Sequence, residues 1–201
     1  MRPIAAALLC ALALAACNKR STSPVAAGAS SGPAATPKDP VVRARMSEAW
    51  TRAADGDVEE LAALAVVEGS AGLEEGAEAD AAHRKVAIRA MAYARGHGGV
   101  RWLAGVLDKG SDEEASLAAD ALVTIASRPR VAEDAEDGDL LRQGCDALGA
   151  LAKDGGRPRD RRVGALRALR MLADPGLGPA GARACVVPAD VGGDLDVRGA
   201  R

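Results

Sequence analysis

Three segments of this chain can be written one above another: KVAIRAMAYARG (residues 85–96), SLAADALVTIAS (116–127) and VGALRALRMLAD (163–174). Their small and apolar residues then fall into five columns: Val86/Leu117/Gly164, Ala87/Ala118/Ala165, Ala90/Ala121/Ala168, Met91/Leu122/Leu169 and Ala94/Ile125/Leu172. That spacing brings one face of an α-helix around again and again. The stretches just upstream align as well, as Val58/Val100/Cys145, Leu61/Leu103/Leu148, Leu64/Val106/Leu151 and Ala65/Leu107/Ala152. A recurring pair of amphipathic helices cannot bury its apolar faces alone and must stack against its neighbours, so the chain is all-α. Composition agrees, since Ala, Leu, Arg and Gly dominate while the aromatics amount to two Trp, one Tyr and no Phe. Such a chain favours close-packed helices over sheets.

Local signals set the expected boundaries. Asp39-Pro40 reads as an N-cap followed by proline in the first turn, opening a helix over 40–54 that Gly56 ends. Asp57 with Glu60 is a variant of the capping box, opening a helix to about residue 68. Residues 69–79 are rich in Gly and Glu and read as a loop. Further helices are expected over 80–95, 100–108, 111–127, 139–153 and 159–173, with a second loop over 128–138. The first helices of successive pairs are offset by 42 and 45 residues and the second by 31 and 47, which places the length variation in those loops.

Two helices per unit of about 40 residues is the pattern of HEAT and armadillo arrays. The chain resembles the bacterial HEAT-repeat family, most closely in AIRAMAYARGHGGVRWLAGVLDKGSDEEASLAADALVTIAS (residues 87–127). The resemblance implies a short right-handed α-α superhelix of about three helix pairs, with the helix at 40–54 as an N-terminal cap. A plain Ala-rich helical bundle is the alternative reading of the same elements. The repeat domain is expected over 39–174, followed by a Gly- and Pro-rich tail over 175–201.

The N-terminus carries a different kind of information. Met1-Arg2 is a short positive start, and residues 4–16 form an uncharged apolar run of 13 residues. A helix needs about 20 residues to cross a bilayer, so the run matches a signal peptide rather than a span. Leu14-Ala15-Ala16-Cys17 resembles the lipobox of bacterial lipoproteins, which implies a signal peptide over 1–16 and a diacylglycerol thioether on Cys17. Cys10 does not compete, because bulky Leu9 precedes it where a small residue is required. An ordinary cleaved signal and an uncleaved anchor are the alternatives. Several acyl chains together hold a protein stably on a membrane, as one chain does not. Residues 18–38 are rich in Ser, Ala, Thr and Pro without apolar periodicity, so 17–38 is expected to be the lipid anchor and a disordered linker spanning roughly 25 Å. Asn18, in place of Asp, resembles the enteric default that continues to the outer membrane. The expected address is the bacterial cell envelope, with the outer membrane favoured over the inner.

Little in the chain carries chemistry. The net charge of −2 gives no basic excess for nucleic acid, and three aromatic residues build no small-molecule pocket. Cys145 and Cys185 are a candidate disulfide in an oxidising compartment, although Cys145 also fits its column as a small apolar core residue. Asp80 and His83 share a helix start and His97 follows a helix end, positions better suited to surface and dipole contacts than to a metal. Neither histidine has a Ser or Cys set as a nucleophile, and GHGG lacks the Lys-Ser/Thr of a phosphate loop. No catalytic residue, metal or cofactor is therefore expected.

Charge is strongly segregated. Residues 55–80 hold nine acids and no Lys or Arg, 133–139 hold five acids, and 157–170 hold six arginines. Arg89, Asp120 and Arg167 share a column beside the core columns, so Arg84, Arg89, Arg95, Asp120, Arg162, Arg167 and Arg170 form the candidate partner face. A solvated exterior of i,i+4 pairs is the plainer reading. The expected function is a membrane-anchored envelope lipoprotein whose helical repeats serve as a scaffold for an envelope protein partner, with no nucleic acid or small-molecule substrate. An accessory subunit of an envelope or modification enzyme of the HEAT-like lyase type, and a purely structural lipoprotein, are the alternatives.

Overall fold

The computed structural model describes residues 40–128, 135–174 and 185–192. In order these form α1 (Pro40–Ala53), α2 (Val58–Ala79), α3 (Ala81–Met91), α4 (Gly99–Lys109), α5 (Asp112–Ala126), α6 (Ala135–Lys153), α7 (Arg159–Leu172) and a 3-10 turn (Ala189–Gly192). Among the described residues there is no strand, and the chain is all-α. The expected signal peptide over 1–16, Cys17, the linker, the N-cap Asp39 and most of the tail lie outside the described residues. No described helix is long and apolar enough to cross a membrane.

The caps work as their residue types dictate. The Asp57 carboxylate accepts from the backbone N–H groups of Glu59 and Glu60 at 2.9 and 3.3 Å. Glu60 completes no capping box; it pairs instead with Arg52 of α1 at 3.0 Å. Asp80 accepts from Ala82 N–H at 2.8 Å. Ser111 and Glu114 close a full capping box: Glu114 N–H donates to the Ser111 hydroxyl at 3.3 Å, and Ser111 N–H donates to the Glu114 carboxylate at 2.7 Å.

Residues 69–79 are helix, not loop. Gly69 (φ 65°, ψ −179°) kinks α2, and the chain then resumes helical geometry to Ala79. Only glycine takes that backbone conformation without strain. Leu73 and Ala77, four residues apart, are buried against the core, and the resulting stripe of two was too short to stand out from the surrounding Gly and Glu. At the other end of this unit α3 stops at Met91 rather than running to residue 95. There the N–H groups of Ala92, Tyr93 and Ala94 bond three residues back, a tightened last turn that keeps Ala94 in the core. α6 begins at Ala135, four residues ahead of expectation.

α2, α4 and α6 pack in succession, and so do α3, α5 and α7. α2 with α3, α4 with α5 and α6 with α7 join the two layers, while α1 lies against α2 and α3. The aligned columns account for the core between the layers. Four of the five columns from the second helices, Ala87/Ala118/Ala165 through Ala94/Ile125/Leu172, are buried throughout, as are the three led by Leu61, Leu64 and Ala65. Two columns depart from this. Val58 is 57% exposed while Val100 and Cys145 beside it are buried, because Val58 occupies the open first turn of α2. Leu117 and Gly164 are half-buried where Val86 is covered. Gly144 lets α6 approach α4 closely: a Cβ there would come within 2.5 Å of Val100 Cγ1 and 3.1 Å of the Arg101 nitrogen.

A disulfide joins Cys145 of α6 to Cys185, with their Cα atoms 5.3 Å apart. It lays residues 185–192 on the last helix pair, where Cys185 and Val191 are buried and Val187 packs against the core. Val186, between Cys185 and Val187, is 76% exposed. The bond closes a sequence separation of 40, so the chain-entropy model gives it about 4 kcal/mol. Replacing both cysteines with serine should lower the unfolding free energy by about that amount, and dithiothreitol should lower the wild type equally while leaving the double variant unchanged.

Candidate binding surfaces

Ionic and polar contacts stitch each helix pair to the next. Arg84 of α3 donates to Glu114 of α5 at 2.6 Å, and Lys85 donates to Glu113 at the same distance. Arg128, after α5, donates to the Ala94 carbonyl at the end of α3 at 3.1 Å, and burial lowers its pKa from the usual arginine value. His97, in the turn between α3 and α4, is buried; its Nδ1 lies 3.0 Å from Asp137 Oδ2 in the first turn of α6, and its backbone N–H donates to the same carboxylate. A helix-end dipole contact was the sequence expectation for His97. The structure instead makes it one half of a clasp across 40 residues.

Half of the arginine-rich stretch is used inside the molecule. Arg161 donates to the carbonyls of Asp108 and Gly110 at 2.6 and 2.8 Å, satisfying the end of α4, and to Asp112 at 3.0 Å. Arg157 pairs with Asp108 at 2.8 Å, an approach too bent for a hydrogen bond to that oxygen, and donates to the other carboxylate oxygen at 3.1 Å. Arg162 donates to the Ala152 carbonyl at the end of α6 at 3.1 Å. A guanidinium suits this position, because the last carbonyls of a helix have no partner and carry its negative pole.

The seven residues of the candidate face therefore divide. Arg84 and Arg162 serve packing contacts. Arg89 is half-buried, beside Gly56. Asp120, Arg167 and Arg170 are exposed on α5 and α7, in the layer that also holds Arg89, while Arg95 is exposed in the turn after α3. The structure thus keeps Arg89, Asp120, Arg167 and Arg170 on successive helices of one layer and sets the other three apart.

The second layer carries a groove that sequence reasoning missed. It lies between the kinked half of α2, α4 and the start of α6, encloses about 660 Å³, and is bordered by Glu74, Glu78, Trp102, Val106, Lys109 and Leu140. Past Gly105 it continues into a depression of about 370 Å³ between α4 and α6. Burial raises the pKa of Glu74 from the usual glutamate value, Glu78 adds to the rise and Arg101 opposes it. No signal in the sequence marked these residues, because the segment that holds both glutamates read as a loop.

At the near end of the molecule Trp50 stacks on His83 with ring centroids 4.5 Å apart, and its indole N–H donates to Glu68 at 3.1 Å. His83 Nε2 lies 3.8 Å from Asp80, which is the cap of its own helix. Among the described residues no three His, Cys, Asp or Glu side chains converge to hold a metal ion. No protein-family model matches the chain, and neither the curated proteins nor the solved structures contain a match for it.

Arg161→Ala should destabilise by about 2 kcal/mol in denaturant unfolding, because it leaves carbonyls at the end of α4 unsatisfied, whereas Arg167→Ala should stay within about 0.5 kcal/mol. For Glu68, burial raises the pKa and outweighs the lowering by the Trp50 hydrogen bond, with Glu75 adding to the rise. The folded state therefore binds this proton more tightly than the unfolded one, and ionisation at neutral pH works against folding. Glu68→Gln keeps an acceptor for Trp50 and removes that charge. Its thermal midpoint should lie above wild type at pH 7, and the gap should close as pH falls below about 4, past the ordinary glutamate value.

Proposed function

We propose that the protein is a lipid-anchored component of a bacterial cell envelope whose helix pairs form a HEAT-like array and act as a docking scaffold for another envelope protein. The observation that carries this reading is the pairing of two layers in strict succession with buried, aligned columns between them. Arrays of that kind present an extended surface along one layer and bind through it. The layer α3–α5–α7 carries Arg89, Asp120, Arg167 and Arg170 toward its accessible side. The sequence LAAC at 14–17, followed by a Ser- and Pro-rich stretch, supplies the anchor and the tether. Docking is then an encounter between a tethered surface and a partner in the same compartment, where complementary charge sets the association rate and the choice of partner.

Two measurements test the two halves. Cells fed a labelled fatty acid should label the wild type and not Cys17→Ser; label retained in that variant refutes the anchor. A photo-crosslinking amino acid placed at Asp120 in intact cells should capture a distinct envelope protein, and the adduct should vanish when Arg89 and Arg167 are both changed to Glu. The same adduct in wild type and variant refutes this face.

A further inference from the structure

The outer side of the first half of α2 is the least polar exposed surface on the described residues. Val66 is 71% exposed and Val67 59%, and Ala63 beside them is open to solvent. Four residues apart or three, Glu59, Ala62, Ala63 and Val66 fall on one stripe, opposite the buried Leu61, Leu64 and Ala65. Large aliphatic residues grouped on an exposed helix face mark a contact surface more often than chance. Glu59 stands at one end of this stripe and makes no ion pair among the described residues, while its neighbour Glu60 is paired with Arg52.

The matching surface is on α7. Its outer stripe reads Arg159, Val163, Arg167, Arg170; the three arginines are exposed, while Val163 is half-buried and packs at the edge of the core, as does Met171 beside it. Arg157 and Arg161 are held in ion pairs and Arg162 by the Ala152 carbonyl, whereas Arg159, Arg167 and Arg170 make no ion pair among the described residues. One helix thus shows exposed valines with an acid at one end of the stripe, the other a half-buried valine with arginines on both sides. The spacing fixes a register. Val66 lies seven residues after Glu59, and Val163 lies seven residues before Arg170. Seven residues rise about 10.5 Å along a helix. Laid antiparallel, the two helices therefore put Val66 on Val163, the aliphatic stem of Arg167 over Ala62 and Ala63, and Arg170 on Glu59. A parallel arrangement with Val66 on Val163 would set Glu59 against residue 156, which is Gly.

We propose that the protein self-associates head to tail, the α2 stripe of one copy seating on the α7 stripe of the next. The occupant is a second copy because both halves of the complementary pair stand on this one chain, and because a net charge of −2 leaves little mutual repulsion between copies. The contact is heterologous, so each copy keeps one stripe of each kind free for a further neighbour. Self-association does not depend on the anchor; it shares Arg167 and Arg170 with the α3–α5–α7 face, and the charge exchange with Glu59, which that face does not use, separates the two.

The full-length chain carrying Val66→Cys together with Val163→Cys is oxidised in intact cells, with the unsubstituted chain, which holds the same native cysteines, as background. A reducible ladder at multiples of the monomer band is expected. Adding Arg170→Glu should weaken the ladder about tenfold, since a close charge pair is replaced by repulsion, and Glu59→Arg in that same chain should restore it. A circular dichroism spectrum unchanged from wild type confirms that each variant is folded. No ladder above background overturns the proposal. So does a dimer from either single cysteine variant alone, which would mean a like-on-like contact. Cross-linking of the Val66→Cys chain to a different protein in place of the ladder also overturns it, as does a ladder indifferent to Arg170→Glu.

Discussion

Burial of one stripe on α4 holds the described residues together. Val100, Leu103, Val106 and Leu107 are each at most 3% exposed, and α4 touches α2 and α6 in its own layer and α5 and α7 in the other. Each fully buried aliphatic side chain contributes about 1.5–3 kcal/mol. A helix of eleven residues would be marginal in water by itself, so its neighbours and not its propensity keep it folded. The same dependence runs outward through every pair. Each helix hides its apolar face only because the next pair arrives, which leaves the two ends of the array as the weak points.

Both ends are treated, by different chemistry. At the start, α1 lies over α2 and α3, with Trp50 and Ala53 buried, and Arg52 ties it to Glu60. At the finish there is no further helix pair among the described residues; the segment 185–192 covers part of the last one and is held by a covalent bond rather than by area. Small residues make the interior close. Gly144 against Val100, and the alanine columns Ala87/Ala118/Ala165 and Ala90/Ala121/Ala168, replace the bulk that Phe would otherwise supply in a chain with none. Interiors packed this densely respond to single methylenes.

Charge does two separate jobs. Within the molecule, Arg157 and Arg161 of the last pair and Arg128 before it satisfy helix ends and a carboxylate of the preceding units, and Arg162 satisfies the end of α6 in its own pair. On the exterior, the ionic groups left over are unevenly distributed, acids on α2 and arginines on α7. The proposed scaffold and the proposed head-to-tail contact both draw on that second population and share Arg167 and Arg170 of α7, the contact adding the stripe on α2. The groove along α4 belongs to neither. It gathers Trp102, Glu74 and Glu78 in the layer of α2, α4 and α6, with Arg84 of α3 on its border.

What the sequence determined by itself is local or recurs along it: the helical class, the apolar columns and the N-cap at Asp57. These are local or periodic, and Leu61, Leu103 and Leu148 declare the same face three times. The pairing of Cys145 with Cys185 was only an open candidate, because Cys145 also fits its column. Only the tertiary structure decided that residues 70–79 are helical, since two apolar residues among Gly and Glu carry too little period and the decisive neighbour, Trp50, comes from α1. Only it decided that His97 meets Asp137, and that Arg161 ends α4 while Arg167 faces solvent. Those contacts join residues forty or more positions apart, and a side chain's partner at that range is set by where the packing of whole helices brings it, not by any spacing along the chain.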